Sequence, residues 1–100
     1  MRALIISRQK FPAAPEVFPA TMRAFAEWRE RYRRELESFY FFTAGGGGCG
    51  VVNAPDETVA QMFMEYPWGP YSEVELHPVV DGDAALAGWR ALLEQAAGDG

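Results

Sequence analysis

Glu65-Tyr66-Pro67-Trp68-Gly69-Pro70-Tyr71-Ser72-Glu73-Val74-Glu75-Leu76-His77-Pro78 decides how this chain folds. Pro67 and Pro70 fix φ and push the residues before them out of the helical region, so the first half is a rigid bend with Gly69 at its sharpest point. A strand follows from Tyr71 to Pro78. Val74 and Leu76 alternate with Glu73, Glu75 and His77, which puts an apolar pair on one face and three ionisable side chains on the other. The segment therefore ends a helix, presents Trp68 and Tyr71 at a bend, and carries the single histidine.

Working back from this stretch, Asn53-Ala54-Pro55-Asp56-Glu57 reads as the start of the helix that the bend ends, with Asn53 as cap, proline in the first turn and two acids at the positive end of the dipole. Val59, Met62, Phe63 and Tyr66 form its apolar stripe. Upstream, Phe39 to Thr43 and Gly50 to Val52 read as strands joined through Ala44-Gly45-Gly46-Gly47-Gly48-Cys49. No lysine, hydroxyl and helix start follow the glycines as a phosphate-cradling loop requires, so the run predicts a hairpin. Glycines running into a strand also leave its surface bare, a pocket floor on which a ligand or a neighbouring backbone can approach closely.

Arg2 to Arg8 reads as the first strand, with Arg2, Leu4, Ile6 and Arg8 on one face and a nearly continuous apolar centre that calls for cover on both. After a proline-punctuated loop from Lys10 to Glu16, the main helix is predicted from about Pro19 to Glu37. Its stripe is Met22, Phe25, Trp28, Tyr32 and Leu36, and Glu27–Arg31 and Glu30–Arg34 are expected pairs at i,i+4. Five of the nine basic residues lie here, interleaved with glutamates, which describes a solvated, salt-bridged face. Downstream of the bend, Asp81-Gly82-Asp83 turns the chain into a last helix with the stripe Leu86, Trp89, Leu92/Leu93 and Ala96, and Gly98-Asp99-Gly100 is expected to fray.

The order strand, helix, strand, strand, helix, strand, helix is the α+β, ferredoxin-like βαββαβ arrangement with a C-terminal helix. It predicts a four-stranded antiparallel sheet with both crossover helices on one face. Residues 1–100 are expected to form a single domain. The first strand's apolar residues on the other face would be wet in a lone chain, so a homodimer packed sheet to sheet, or a higher oligomer, is expected.

Composition narrows the function. Aromatics make up 14% of 100 residues, a heavy load for so small a core, so some rings are expected in a pocket or a subunit interface. A net charge of −5 and a pI near 4.8 argue against nucleic acid and against an acidic membrane surface. With one cysteine, no bilayer-length apolar run and no signal-like N-terminus, a cytoplasmic location is expected. One histidine and one cysteine with no spacing relation make no metal site.

The runs Val51-Val52-Asn53-Ala54-Pro55, Met62-Phe63-Met64-Glu65-Tyr66-Pro67 and above all Pro67-Trp68-Gly69-Pro70-Tyr71-Ser72-Glu73-Val74-Glu75 resemble the muconolactone isomerase-like group of dimeric α/β-barrel proteins. The likeness covers about Phe39 to Val80 and is looser over the first helix. It implies a cofactor-free, oligomeric protein that binds small organic acids or lactones between sheet, helices and a neighbouring subunit. The polyglycine hairpin and the Asp81-Gly82-Asp83 helix depart from the isomerases proper, and no catalytic residue of the group is carried over.

Candidate residues follow from chemistry instead. Moving a double bond requires a base, an acid and a donor for the enolate oxygen. His77 and Glu75, with Glu73 beside them, could supply the first two and Arg8 or Arg2 the third; the same residues would equally serve as cross-paired charges on a sheet face. Trp68, Tyr71, Tyr40, Phe42, Trp28 and Tyr32 could wall a flat substrate, although helical spacing also suits Trp28 and Tyr32 to a core. Three functions follow: a cofactor-independent isomerase or cyclase acting on a small oxygenated lactone or aromatic molecule, a non-catalytic binding or assembly protein, and a cofactor-free oxygenase of a polyphenol.

Overall fold

The computed structural model describes residues 1–12 and 14–98. Four strands, β1 (Arg2–Gln9), β2 (Leu36–Phe41), β3 (Gly47–Asn53) and β4 (Ser72–Pro78), form one sheet in the order β2-β3-β1-β4, with α1 (Phe18–Arg31) and α2 (Asp56–Glu65) as crossovers and α3 (Gly82–Gly98) at the end. Every neighbouring pair is antiparallel. This is the ferredoxin-like sheet read from the order of elements.

Register divides the sheet into two faces. Leu4 pairs with His77 and Val51, and Ile6 with Glu75 and Cys49, so these residues share the face that α1 and α2 leave open. Ala3, Ile5 and Ser7 point the other way. There Phe25 and Trp28 of α1 and Val59 and Met62 of α2 close a core with Ala3, Leu36 and Val52. The Trp28 indole donates to the Met62 carbonyl oxygen at 3.1 Å, tying the two helices together inside that core.

Helix α1 stops six residues before the predicted Glu37. Tyr32 to Glu35 form a turn, and Leu36 is already paired with Val52, so the fifth residue of the stripe is buried from a strand instead of a helix. Arg29 marks the exit: its guanidinium donates to the carbonyl oxygens of Arg33 at 3.3 Å and Leu36 at 2.8 Å, groups that a longer helix would have satisfied itself. Strand pairing overrides the helix-forming residues here. Arg34 is consequently no longer one turn from Glu30, which pairs with Arg33, while Arg31 reaches Glu65 of α2 at 3.0 Å instead of Glu27.

Two smaller boundaries also move. β2 begins three residues before the predicted Phe39, and β3 takes in Gly47 to Cys49 and ends at Asn53, leaving Pro55 in the cap position of α2 with no side-chain cap. Asp56 and Glu57 do occupy the first turn of α2. The proline bend is a 3₁₀ turn, Gly69–Tyr71, ahead of β4.

α3 starts at the predicted place, with the Asp81 carboxylate accepting from the Ala84 N–H at 2.9 Å, but none of its residues is buried. Leu86, Trp89, Leu92 and Leu93 are 53%, 64%, 59% and 66% exposed. The radius of gyration is 18.1 Å and the longest extent 67 Å, against about 13 Å expected for the radius of a compact chain of this length. Asp99 and Gly100, in the tail expected to fray, lie outside the described residues.

Candidate functional site

A cavity of about 340 Å³ lies on the helix-covered face, between the sheet, α1 and the end of α2. Phe18, Phe25, Phe39 and Phe63 supply much of its wall, with Trp28 and Trp68 beside them. Its floor is β3. Gly48 pairs with Ser7 and Gly50 with Ile5, which places both glycines on this face, where the missing side chains leave the space open. The same glycines let strands approach: a Cβ at Gly50 would stand 2.7 Å from the Ser38 carbonyl oxygen, and one at Gly48 2.3 Å from that of Tyr40. Gly45 and Gly46, both at φ 83°, make the hairpin itself.

The polar feature of the interior is a pair of hydroxyls. Tyr66 follows α2 directly, and Pro67 after it holds it extended, at φ −64° and ψ 116°. Its ring packs 5.3 Å from that of Trp28 and 6.3 Å from that of Phe25, centroid to centroid. Its hydroxyl donates to the Ser7 Oγ at 2.9 Å. Burial pushes the Tyr66 phenol above its ordinary pKa, with the Ser7 hydrogen bond acting weakly in the other direction, so the group stays protonated at neutral pH. Among the described residues no Asp, Glu, Lys, Arg or His lines the cavity.

Of the aromatic residues singled out as a substrate wall, Trp28, Phe42 and Trp68 line the cavity, whereas Tyr40 borders it but, in register with Cys49, turns its ring to the open face, where it is 65% exposed. Tyr71 packs against Trp68 at 6.0 Å from the far side of the bend. Tyr32 is a core residue whose hydroxyl donates to Glu65. Ser7, Tyr66 and the phenylalanines of α1 and β2 are site residues that the sequence reading left unassigned. Ser7 had a signal, since strand alternation puts its hydroxyl in phase with Ala3 and Ile5 on a buried face.

His77, Glu75 and Arg8 stand together on the opposite, open face of the sheet. Arg8 Nη1 lies 2.6 Å from Glu75 Oε1, and Glu75 Oε2 lies 3.0 Å from His77 Nε2. The His77 hydrogen bond, reinforced by the Arg8 guanidinium, holds the Glu75 carboxyl below the usual carboxylate range. All three are well exposed in the single chain and none lines the cavity. Arg2, the other candidate donor, is paired with Glu37 at 3.1 Å. Among the described residues no cluster of His, Cys, Asp and Glu could hold a metal ion, and no helix is long and apolar enough to cross a membrane.

Residues 4–93 match the model of a family described as a domain of unknown function, DUF3303. The chain belongs to that family. The fold of this DUF3303 member is that of muconolactone isomerase, whose crystal structure superposes with a TM-score of 0.69 at 16% identity over 81% of this chain and 90% of the isomerase. 5-Chloro-2-hydroxyhydroquinone dehydrochlorinase (TftG) from Burkholderia phenoliruptrix AC1100, in complex with 2,5-dihydroxybenzoquinone, superposes with a TM-score of 0.67 at 15% identity over 84% of this chain and 98% of that one. At such identities the likeness is one of fold. No curated protein matches the sequence.

Proposed function

We propose that this protein takes a small oxygenated ring compound into the helix-face cavity and acts on it without a cofactor, as an isomerase or cyclase. The carrying observation is the cavity: aromatic walls suited to a flat molecule, a glycine floor, and one hydroxyl pair to fix orientation. TftG, a protein of the same fold, has 2,5-dihydroxybenzoquinone, a six-membered ring bearing four oxygens, as its ligand, which supports this ligand class. In this reading Ser7, whose oxygen accepts from Tyr66, donates its own proton to the oxygen on which charge develops. His77, oriented by Glu75 and with Arg8 balancing the charge, lies across the sheet from this cavity and would act as a base only on a ligand enclosed over the open face.

Such an enclosure needs a cover over the open face, so a role for His77 carries a homodimer with it. A second copy is the proposed cover, because Leu4, Ile6 and Val51 on that face and the α3 stripe are apolar surfaces of one chain that two chains could bury mutually. A second reading, a binding protein without catalysis, is favoured by one observation: among the described residues the cavity holds no carboxylate or imidazole to take a proton from carbon.

Titration calorimetry and turnover assays on a panel of lactones, phenols and quinones separate the two. For an enzyme working in the cavity, Ser7→Ala is expected to lower turnover at least about 100-fold and Trp68→Ala to weaken binding, whereas His77→Ala lowers turnover only if the ligand lies over the open face. Binding that Trp68→Ala weakens, with no turnover in any variant, selects the second reading. Ligand binding unaffected by Trp68→Ala and Tyr66→Phe overturns the cavity assignment.

A further inference from the structure

We infer that the molecule held in the helix-face cavity is uncharged, a neutral ring compound whose hydroxyl or carbonyl oxygen pairs with the Ser7 and Tyr66 hydroxyls. The inference rests on the cavity being the binding site, and it separates phenols, quinones and simple lactones from the carboxylic acids that the resemblance to isomerases would equally admit.

The argument is one of charge. Among the described residues every side chain lining the cavity is apolar or neutral, the polar groups on the helix-covered face being the hydroxyls of Ser7, Tyr66 and Ser72 and the Gln9 amide, while the register turns Tyr40 and Cys49 to the open face. A carboxylate brought inside would lose its water and meet no cation, and burying an unpaired charge costs far more than hydroxyl hydrogen bonds return. Arg29, whose guanidinium sits 5.0 Å from the centroid of the lining Phe39 ring, is committed to the carbonyl oxygens of Arg33 and Leu36. Arg8, the arginine nearest in sequence to Ser7, belongs to the other face of the sheet and is paired with Glu75. Arg31, which follows from the same helix, is paired with Glu65.

The hydroxyl pair suits a neutral oxygen. With Tyr66 donating to Ser7, the phenol oxygen keeps a lone pair for a ligand O–H, and the serine keeps its own proton for a ligand carbonyl. A phenol held protonated by burial does not repel either partner. A volume near 340 Å³ lies at the lower end of ligand pockets, the size of a one- or two-ring compound.

The experiment is calorimetric titration of the full-length protein at pH 7 with three probes of one skeleton: 2-naphthol, naphthalene-2-carboxamide and 2-naphthoate. The amide matches the acid in size and lacks its charge. Naphthol and amide are expected to bind, with naphthoate at least about tenfold weaker, and Tyr66→Phe is expected to weaken naphthol several-fold. Naphthoate binding as tightly as the amide overturns the inference while leaving the cavity as the binding site. Amide and acid equally excluded while naphthol binds also overturns it, because size would then be the discriminant. Naphthol binding unchanged in Tyr66→Phe removes the oxygen anchor. Failure of all three probes overturns the cavity reading and the inference with it.

Discussion

Gly50 carries two constraints at one position. It lines the cavity, and its Cα faces the Ser38 carbonyl oxygen so closely that a Cβ would stand 2.7 Å away, with the Leu36 and Phe39 side chains close behind. Gly50→Ala is therefore expected to destabilise the protein by about 1–3 kcal/mol, read as a lower urea midpoint at unchanged slope; an unaltered midpoint would show that β2 yields freely. The glycine run was legible both as a hairpin and as a pocket floor, and the two divide by residue, Gly45 and Gly46 turning the chain and Gly48 and Gly50 flooring the cavity. Tyr66 was legible only as a stripe residue. Periodicity assigns a side chain to a face but is silent about what stands opposite, and the Ser7 hydroxyl that Tyr66 meets is 59 positions away in the chain. For Arg8, Glu75 and His77, alternation gave the shared face correctly; both faces of the sheet carry apolar residues, so it could not say on which the cavity would form.

Among the elements, the proline bend was the best marked in the sequence and the end of α1 the worst. Pro67 and Pro70 act through the local backbone alone, so their effect survives in any tertiary setting. The stop of α1 depends on Leu36 pairing with Val52 and on the Arg29 side chain taking up the exposed carbonyls, neither of which helix propensity contains. The bend holds Tyr66 and Trp68 in place from its two ends, Trp68 packing 5.6 Å from Phe18 at the start of α1. Replacing Pro67 or Pro70 with alanine is expected to lower stability by about 0.4–1 kcal/mol and to weaken ligand binding and self-association in parallel. A melting temperature and assembly state unchanged in both variants would mean that the neighbouring contacts suffice to hold the turn.

At the scale of the molecule, the apolar stripe of α3 was legible and its destination was not. A stripe at helical spacing announces a buried face, yet here the four large residues remain more than half exposed while the other two helices close the core without them. Analytical ultracentrifugation at micromolar concentration is expected to find a dimer or larger, and Trp89→Glu with Leu93→Glu is expected to shift it toward the monomer while leaving the sheet folded by far-ultraviolet circular dichroism. A wild-type protein sedimenting solely as an 11.1 kDa species would refute this. The outlying position of α3 also has a kinetic consequence. The sheet with α1 and α2 draws all its core from one chain and should refold in a phase independent of protein concentration, whereas in the proposed dimer burial of the α3 stripe would wait on an encounter between chains and should accelerate with concentration. The three tryptophans divide between the two events, Trp28 and Trp68 reporting the first and Trp89 the second, so tenfold dilution should delay the Trp89 signal alone, read in a variant with Trp28 and Trp68 replaced by phenylalanine.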